Sequence, residues 1–169
     1  FTPPKGTPFN STTYLDLTIA GSQFNVAANL SCLGWETIFL SKIHSGPMGE
    51  FVLKSGKLFG VGMSEIKVVK GGKMGITFVE YPLYPRTPQI VYDRSGSAAS
   101  KITVKDFDWE SILKDASYAY SDGIFPGLSN SCLESSKVFF RNAKNCGCTN
   151  VFDINYREHL WLSLIHISE

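Results

Sequence analysis

The start of the first predicted helix carries residues that could bind an oxygen-rich ligand. In the stretch AGSQFNVAANLSCLG, Gly21 follows the end of a predicted strand, and Ser22, Gln23 and Asn25 fall in the first turn of the helix that comes next. The free backbone N–H groups of a helix N-terminus, together with amide and hydroxyl side chains, would then point at one place. Taken alone, the pattern is more often that of a structural turn.

Two further stretches place an arginine where a ligand could meet it. In VYDRSGSAAS, Tyr92 and Arg94 are two residues apart on a predicted strand and therefore share one face. In FDINYREHLW, Asn155 and Arg157 follow the carboxyl end of a buried strand, the edge at which open α/β sheets bind ligands. An exposed arginine is usually only solvated, so each stretch alone is weak evidence for a site.

Two other groups of residues are predicted to be structural. The glycine-rich stretch VKGGKMG does not match the P-loop pattern, because Lys67 and Met74 stand where Gly and Ser or Thr are required, so it predicts a turn between strands. Asp106, Asp108 and Glu110 lie at the start of a predicted helix, where negative charge favours the helix dipole. We therefore expect these carboxylates to cap the helix rather than to act as acids or bases.

The elements that must position these residues alternate between strand and helix at both ends of the chain. Periodicity and turn residues predict strands at 13–19, 37–42, 65–69, 75–81, 89–92, 117–120 and 150–154. They predict helices at 24–33, 47–58, 109–116 and 132–143. Alternation of the two predicts an α/β fold with a mostly parallel sheet and helices packed on it. The middle of the chain is all strand, which favours a β-sheet lid over the site.

Composition limits the protein to an ordinary globular class. The chain has 169 residues, 43% of them hydrophobic and 18% charged, which is enough for one domain with a core. A net charge of +1 gives no reason to expect nucleic acid or a membrane surface as partner. No apolar run approaches the roughly 20 residues of a membrane span.

Cysteine and histidine usage predicts no metal site. Cys146 and Cys148 form a single C-G-C, whereas a zinc ribbon needs two such clusters, and the three histidines lack metal-ligand spacing. We expect all four cysteines to be reduced, as in a cytoplasmic protein.

The order of four motifs resembles the ribokinase-like (PfkB) carbohydrate kinases, and within them the 2-keto-3-deoxygluconate kinase branch most. These motifs are AGSQFNVAANLSCLG, YDRSGSAAS, YSDGIFPGLS and FDINYREHLW, and the resemblance covers residues 1–161. It implies a three-layer α/β/α fold, truncated at both ends, with a small lid formed by strands at about 10–20 and 63–95. The family usually has Gly-Gly-Ala-Glu before Asn-Val-Ala, where this chain has AGSQF.

The resemblance also implies roles for individual residues. Gly21 and Asn25 would contact sugar hydroxyls, Tyr92 and Arg94 from the lid would hold the keto-acid end, and Arg157 would pair with the carboxylate. Two converging arginines match the bidentate geometry of guanidinium with carboxylate, which would favour a sugar acid over a neutral sugar.

Two further positions are possible contacts. Thr77 falls where the family commonly has a tyrosine that touches the substrate, and Asn155 lies beside Arg157. The catalytic aspartate belongs to a Gly-Ala-Gly-Asp motif that this chain lacks, so we expect it beyond Glu169. After Trp161 the resemblance breaks off, and we expect 162–169 to be a non-native tail, the alternative being a native apolar strand or helix.

The implied activity is transfer of the ATP γ-phosphoryl group to the terminal hydroxyl of a sugar acid, with Mg²⁺ neutralising phosphate charge. The 169 residues themselves would carry the sugar-binding half and be inactive. Alternatives are another kinase of the family, such as a fructokinase or ribokinase, or a non-catalytic module that binds a sugar acid or dimerises. Exposed lid strands would allow a homo-oligomer.

Overall fold

The computed structural model describes residues 1–161. Its helices are α1 (Ser22–Cys32), α2 (Pro47–Leu58), α3 (Trp109–Leu113) and α4 (Asn130–Asn145). Its strands are β1 (Lys42–His44), β2 (Lys67–Val69), β3 (Ile76–Glu80), β4 (Gln89–Asp93), β5 (Tyr118–Asp122) and β6 (Thr149–Asp153). The tail predicted at 162–169 lies outside the described residues, and its non-native character stays a prediction.

The two parallel pairs agree with the predicted, mostly parallel sheet, but β2, which was predicted to belong to the all-strand middle of the chain, pairs with β1 instead. β1 pairs with β2 and β5 with β6 in parallel, whereas β3 and β4 form an antiparallel hairpin. Within residues 1–161 these are three separate two-stranded sheets rather than one continuous sheet. Of the segments predicted to form the lid, at 10–20 and 63–95, β3 and β4 form a hairpin of their own, and its function as a lid stays a prediction.

The strand predicted at 13–19 is wrong. Leu15, Leu17 and Ile19 are half-buried and the residues between them exposed, so the alternation does reflect two faces. The backbone, however, forms only an isolated antiparallel bridge between Asp16 and Thr2. A period of two shows that a segment is extended, but a strand also requires a neighbour to pair with along its length.

The strand predicted at 37–42 is mostly wrong for the same reason. Ile38 makes a single parallel bridge with Gly62, and regular pairing begins only at Lys42. Helix α2, in contrast, has the predicted bounds, with Pro47 in its first turn. Gly49 in α2 must lack a side chain, because a Cβ there would clash with the carbonyl oxygen of His44 and push α2 off β1.

Of the three acidic residues predicted to cap one helix, Asp108 caps α3, Asp106 caps the preceding 3-10 turn Val104–Asp106, and Glu110 lies in the first turn of α3. The Asp108 carboxylate accepts from the backbone N–H of Ser111 at 3.2 Å, and Asp106 forms a capping box with Thr103. Asp106 also pairs with Lys42 at 2.6 Å, which ties this segment to β1. The stretch VKGGKMG forms the turn between β2 and β3, as predicted.

Two hydrophobic clusters form the core, with a cleft of about 280 Å³ lined by members of both. One cluster packs α3 and α4 against β5 and includes Trp109, Leu113 and Cys132. The other packs α1 and α2 around β1 and includes Phe24 and Ile43. All four cysteines are free thiols, as predicted. No helix within residues 1–161 is long and apolar enough to cross a membrane.

Candidate functional site

Asp122, the last residue of β5, is a fully buried carboxylate beside the cleft. Its Oδ1 accepts from the Gln23 side-chain amide at 2.8 Å and from the backbone N–H groups of Ile124 and Phe125 at 3.1 and 3.4 Å. Donors from two elements thereby compensate the cost of burying this charge. The result fixes the start of α1 against the carboxyl end of β5.

The second oxygen of Asp122 brings in a third element. Oδ2 accepts from the Ser22 hydroxyl and, at 3.1 Å, from the Asn155 side-chain amide, which lies in the loop after β6. Asn155 has a φ of 36°, a left-handed conformation that its contact with Asp122 helps to hold. Asp122, at the end of β5, therefore joins the start of α1, which carries Gly21, to the loop after β6, which carries Asn155 and Arg157.

Helix α1 begins at a glycine because of the backbone conformation there. Gly21 is the N-cap residue, and its φ of 146° is strongly disfavoured for residues with a side chain. Gly21 lines the cleft together with Thr77 of β3, so two predicted contact residues face the same space. Asn25, one turn into α1, is exposed and does not line the cleft.

The lid residues Tyr92 and Arg94 form a cluster with His159 from the loop after β6. The Arg94 guanidinium lies over the Tyr92 ring at 4.4 Å from its centroid, and the His159 ring stacks on the Tyr92 ring with 5.1 Å between centroids. One Nη of Arg94 also contacts Nε2 of His159. In the β3–β4 register Tyr92 is opposite Thr77, so the hairpin brings these two predicted contact residues together.

Arg94 and Arg157 lie close enough to influence each other electrostatically. Burial lowers the pKa of the Arg94 guanidinium and the charge of Arg157 lowers it further, whereas Tyr92 and Asp122 act in the opposite direction. Arg157 donates to the backbone carbonyl of Tyr156 at 2.9 Å. Within residues 1–161 neither guanidinium forms an ion pair with a carboxylate. The charges of the two arginines therefore act on each other, neither lines the cleft, and within residues 1–161 neither has an acidic partner in direct contact.

Sequence reasoning missed Asp122 and His159 as site residues. Asp122 stands at the carboxyl end of a strand in YSDGIF, and a position at a strand end is the signal that points to Asn155 and Arg157. Asp153 is exposed and accepts only from the backbone N–H of Asn155, at 3.0 Å. For His159 no local signal exists, because its partners are far away in sequence.

Within residues 1–161 no group of three or more His, Cys, Asp or Glu side chains could hold a metal ion. What the geometry of these side chains supports is the binding and orientation of a small anion.

Comparison with known proteins identifies the family. The model of the pfkB family carbohydrate kinases matches residues 10–167. The 2-dehydro-3-deoxygalactonokinase of Haloferax volcanii is 30% identical over 159 residues, covering 94% of this chain and 49% of the relative. The 5-dehydro-2-deoxygluconokinase of Clostridium perfringens is 34% identical over 144 residues, covering 85% and 42%.

Structural similarity agrees with the sequence matches. The crystal structure of 2-dehydro-3-deoxygluconokinase from Thermotoga maritima superposes with a TM-score of 0.91 at 34% identity, covering 95% of this chain and 49% of that one. The chain spans about half the length of the relatives that it matches. The ribokinase-like α/β fold is thereby confirmed, and the chain belongs to the PfkB family of carbohydrate kinases.

Proposed function

We propose that this chain is the sugar-binding part of a kinase that phosphorylates the terminal hydroxyl of a keto-deoxy sugar acid, with 2-keto-3-deoxygluconate as the substrate. One observation carries the proposal. Arg94 and Arg157 share a neighbourhood in which neither has a carboxylate partner within residues 1–161. Partly buried cations are normally paired, so a pair of guanidinium groups without one suits an anionic ligand.

The charge balance favours an acid over a neutral sugar. Asp122 acts on Arg94 electrostatically, but its two oxygens already accept from five donors and are turned toward α1 and the loop after β6. A substrate carboxylate would supply the missing negative charge and accept from both guanidinium forks. A neutral sugar would gain only hydrogen bonds to hydroxyls, which are about half as strong.

The remaining contacts would orient the rest of the substrate. The start of α1 at Gly21 offers backbone N–H groups to sugar hydroxyls, with Asn25 following one turn later. Thr77 and Tyr92, opposite each other in the lid, would cover the bound molecule, and Asn155 would hold the rim that carries Arg157. Orientation of the acceptor hydroxyl and exclusion of water are the main contributions that such residues make to phosphoryl transfer.

ATP and Mg²⁺ enter this proposal through the family alone. The relatives are about twice as long as this chain, so the nucleotide site and the catalytic aspartate are expected in residues that the chain does not contain. The four free thiols suit a reducing compartment, and we place the reaction in the cytoplasm.

The test is kinetic and uses the full-length gene product. Arg157→Ala removes at least one hydrogen bond to a charged group, worth about 1.5–3 kcal/mol, so the KM for the sugar acid should rise by at least roughly 10- to 150-fold. The KM for ATP should change little. Arg141→Ala is the matched control, since Arg141 is exposed on α4. Equal increases for both substrates would refute the role of Arg157.

A substrate panel separates the second candidate, another kinase of the family. The panel contains 2-keto-3-deoxygluconate, its galactonate epimer, 5-dehydro-2-deoxygluconate, fructose and ribose. The departure of AGSQF from the family pattern, together with Thr77 in place of the usual tyrosine, favours testing this alternative. Preference for fructose or ribose would remove the role given to Arg94 and Arg157.

A further inference from the structure

We propose that His159 is a positioning residue of this site, which orients the Arg94 guanidinium for the substrate carboxylate and joins the lid to the loop after β6. The inference rests on the proposed function. It is carried by the three contacts among His159, Tyr92 and Arg94, which no role assigned to Tyr92 or Arg94 requires.

The three contacts restrain the Arg94 side chain from two sides. Its guanidinium lies over the Tyr92 ring, which itself stacks on His159 with an angle of 23° between the ring planes. A guanidinium can only donate, so Nε2 of His159 is the acceptor in the third contact and the imidazole proton is on Nδ1. Arg94 has five N–H donors, and this contact uses one of them. The others remain to bind an anion.

His159 would act by restraining the Arg94 side chain before the substrate binds. A long arginine side chain loses rotamer freedom when it binds a ligand, and that loss weakens binding. Where neighbouring side chains already hold the guanidinium, the loss has occurred before the substrate arrives. His159 and Arg94 also belong to different elements, so their contact holds the hairpin of β3 and β4 against the rim of the cleft.

The loop that carries His159 is anchored by other contacts. Asn155 donates to Asp122 at 3.1 Å, and the Trp161 indole N–H donates to the carbonyl oxygen of Gly123 at 2.6 Å. These two contacts bracket His159 in sequence. Loss of the imidazole is therefore expected to release Arg94 without displacing the loop.

The experiment compares three substitutions in the full-length gene product. His159→Phe keeps an aromatic ring against Tyr92 but removes the acceptor, His159→Gln keeps an acceptor, and His159→Ala removes both. We expect His159→Phe and His159→Ala to raise the KM for the sugar acid roughly 5- to 20-fold, as loss of one partly exposed hydrogen bond to a charged group would. His159→Gln should stay within about threefold of wild type, with kcat and the KM for ATP nearly unchanged in all three.

A double-substitution cycle tests whether His159 acts through Arg94. In an Arg94→Ala background, His159→Phe should raise the KM for the sugar acid by less than about twofold, because the group that it orients is gone. A full effect of His159→Phe in that background would overturn the inference, and so would wild-type kinetics of His159→Phe and His159→Ala. A purely structural role would instead lower the melting temperature and leave the effects additive.

The activity of the wild-type enzyme toward sugar acids tests the proposed function separately from the role of His159. If wild type phosphorylates no sugar acid, both the proposed function and the role of His159 fail. If it does so and the His159 variants match it, only the role of His159 fails. Nitrogen-15 NMR of the imidazole gives a readout without turnover: the proton should be on Nδ1, and Arg94→Ala should remove this tautomer preference.

Discussion

Removal of the Asp122 carboxylate tests whether this buried charge holds the site together. Asp122 is 0% exposed and accepts from five donors. In Asp122→Ala the side chains of Ser22, Gln23 and Asn155 can turn to other partners, since all three are half-buried. Two backbone N–H groups, those that follow β5, cannot turn away. A buried donor without a partner costs about 1–3 kcal/mol, so we expect unfolding free energy to fall by about 2–6 kcal/mol.

Asp122→Asn should destabilise the protein much less, because some partners of Asp122 can exchange the roles of hydrogen-bond donor and acceptor. If the amide NH₂ takes the place of Oδ2, the Ser22 hydroxyl can accept from it and the Asn155 amide can present its oxygen instead. The oxygen at Oδ1 then keeps the Gln23 amide and both backbone donors. We expect a loss of about 1–2 kcal/mol, corresponding to hydrogen bonds to a charge replaced by neutral ones.

Asp153→Ala is the matched control. Asp153 is paired with Asp122 in the register of β5 and β6, but it is exposed and has one backbone donor. We expect a loss of about 1 kcal/mol or less. Urea denaturation followed by tryptophan fluorescence, with circular dichroism as a second probe, measures all three variants. If Asp122→Ala is no less stable than Asp153→Ala, the carboxylate does not hold these elements and the reasoning is refuted.

Two further predictions concern an ion pair and the lid. Burial alone would raise the pKa of Asp106, but hydrogen bonds from Lys42 and Thr103 lower it below the usual value. The carboxylate should therefore contribute its full stabilisation above about pH 4 and lose it on further acidification. Asp106→Asn should lack this part of the acid unfolding transition, and an unchanged transition would contradict the assignment. All five residues of β4 are exposed, including Val91 at 56%. If lid strands pair between subunits, Val91→Asp should change the sedimentation coefficient from that of a dimer to that of a monomer, whereas Leu58→Asp, at a residue 78% exposed on α2, should not. A monomeric wild-type protein would exclude this interface.

Local patterns predicted the elements well where a single segment decides its own structure. Helix α2 has the predicted bounds, and α4 extends the prediction of 132–143 to Asn130–Asn145 because the Ser129 hydroxyl caps it earlier. The strand predicted at 13–19 failed because a strand depends on pairing with a partner segment, and this segment makes an isolated bridge, between Asp16 and Thr2. Periodicity carries no information about that partner.

The residues of the candidate site also differ in whether the local sequence or only a long-range contact indicates them. Gly21, Arg94 and Arg157 could be predicted as contact residues because each stands beside a recognisable strand end or helix start, and their roles stay predictions. Asp122 and His159 were missed because their defining contacts, to Ser22 and to Arg94, span 100 and 65 residues. Charged residues at strand ends are common, and only the folded structure shows that Asp122 is the one that is buried and accepts hydrogen bonds at both oxygens.

The arrangement of Asp122 explains why a buried carboxylate can sit near two arginines without pairing with either. Its five donors come from α1, from the backbone after β5 and from Asn155, so both oxygens are occupied before a guanidinium could reach them. The carboxylate still acts on Arg94 through space and opposes the repulsion from Arg157. This reduces the cost of holding two like charges together and uses none of their N–H groups, of which one on Arg94 contacts His159 and one on Arg157 donates to the carbonyl of Tyr156. A direct Asp122–Arg94 ion pair would occupy N–H donors of Arg94 that, under the proposed function, bind the substrate carboxylate.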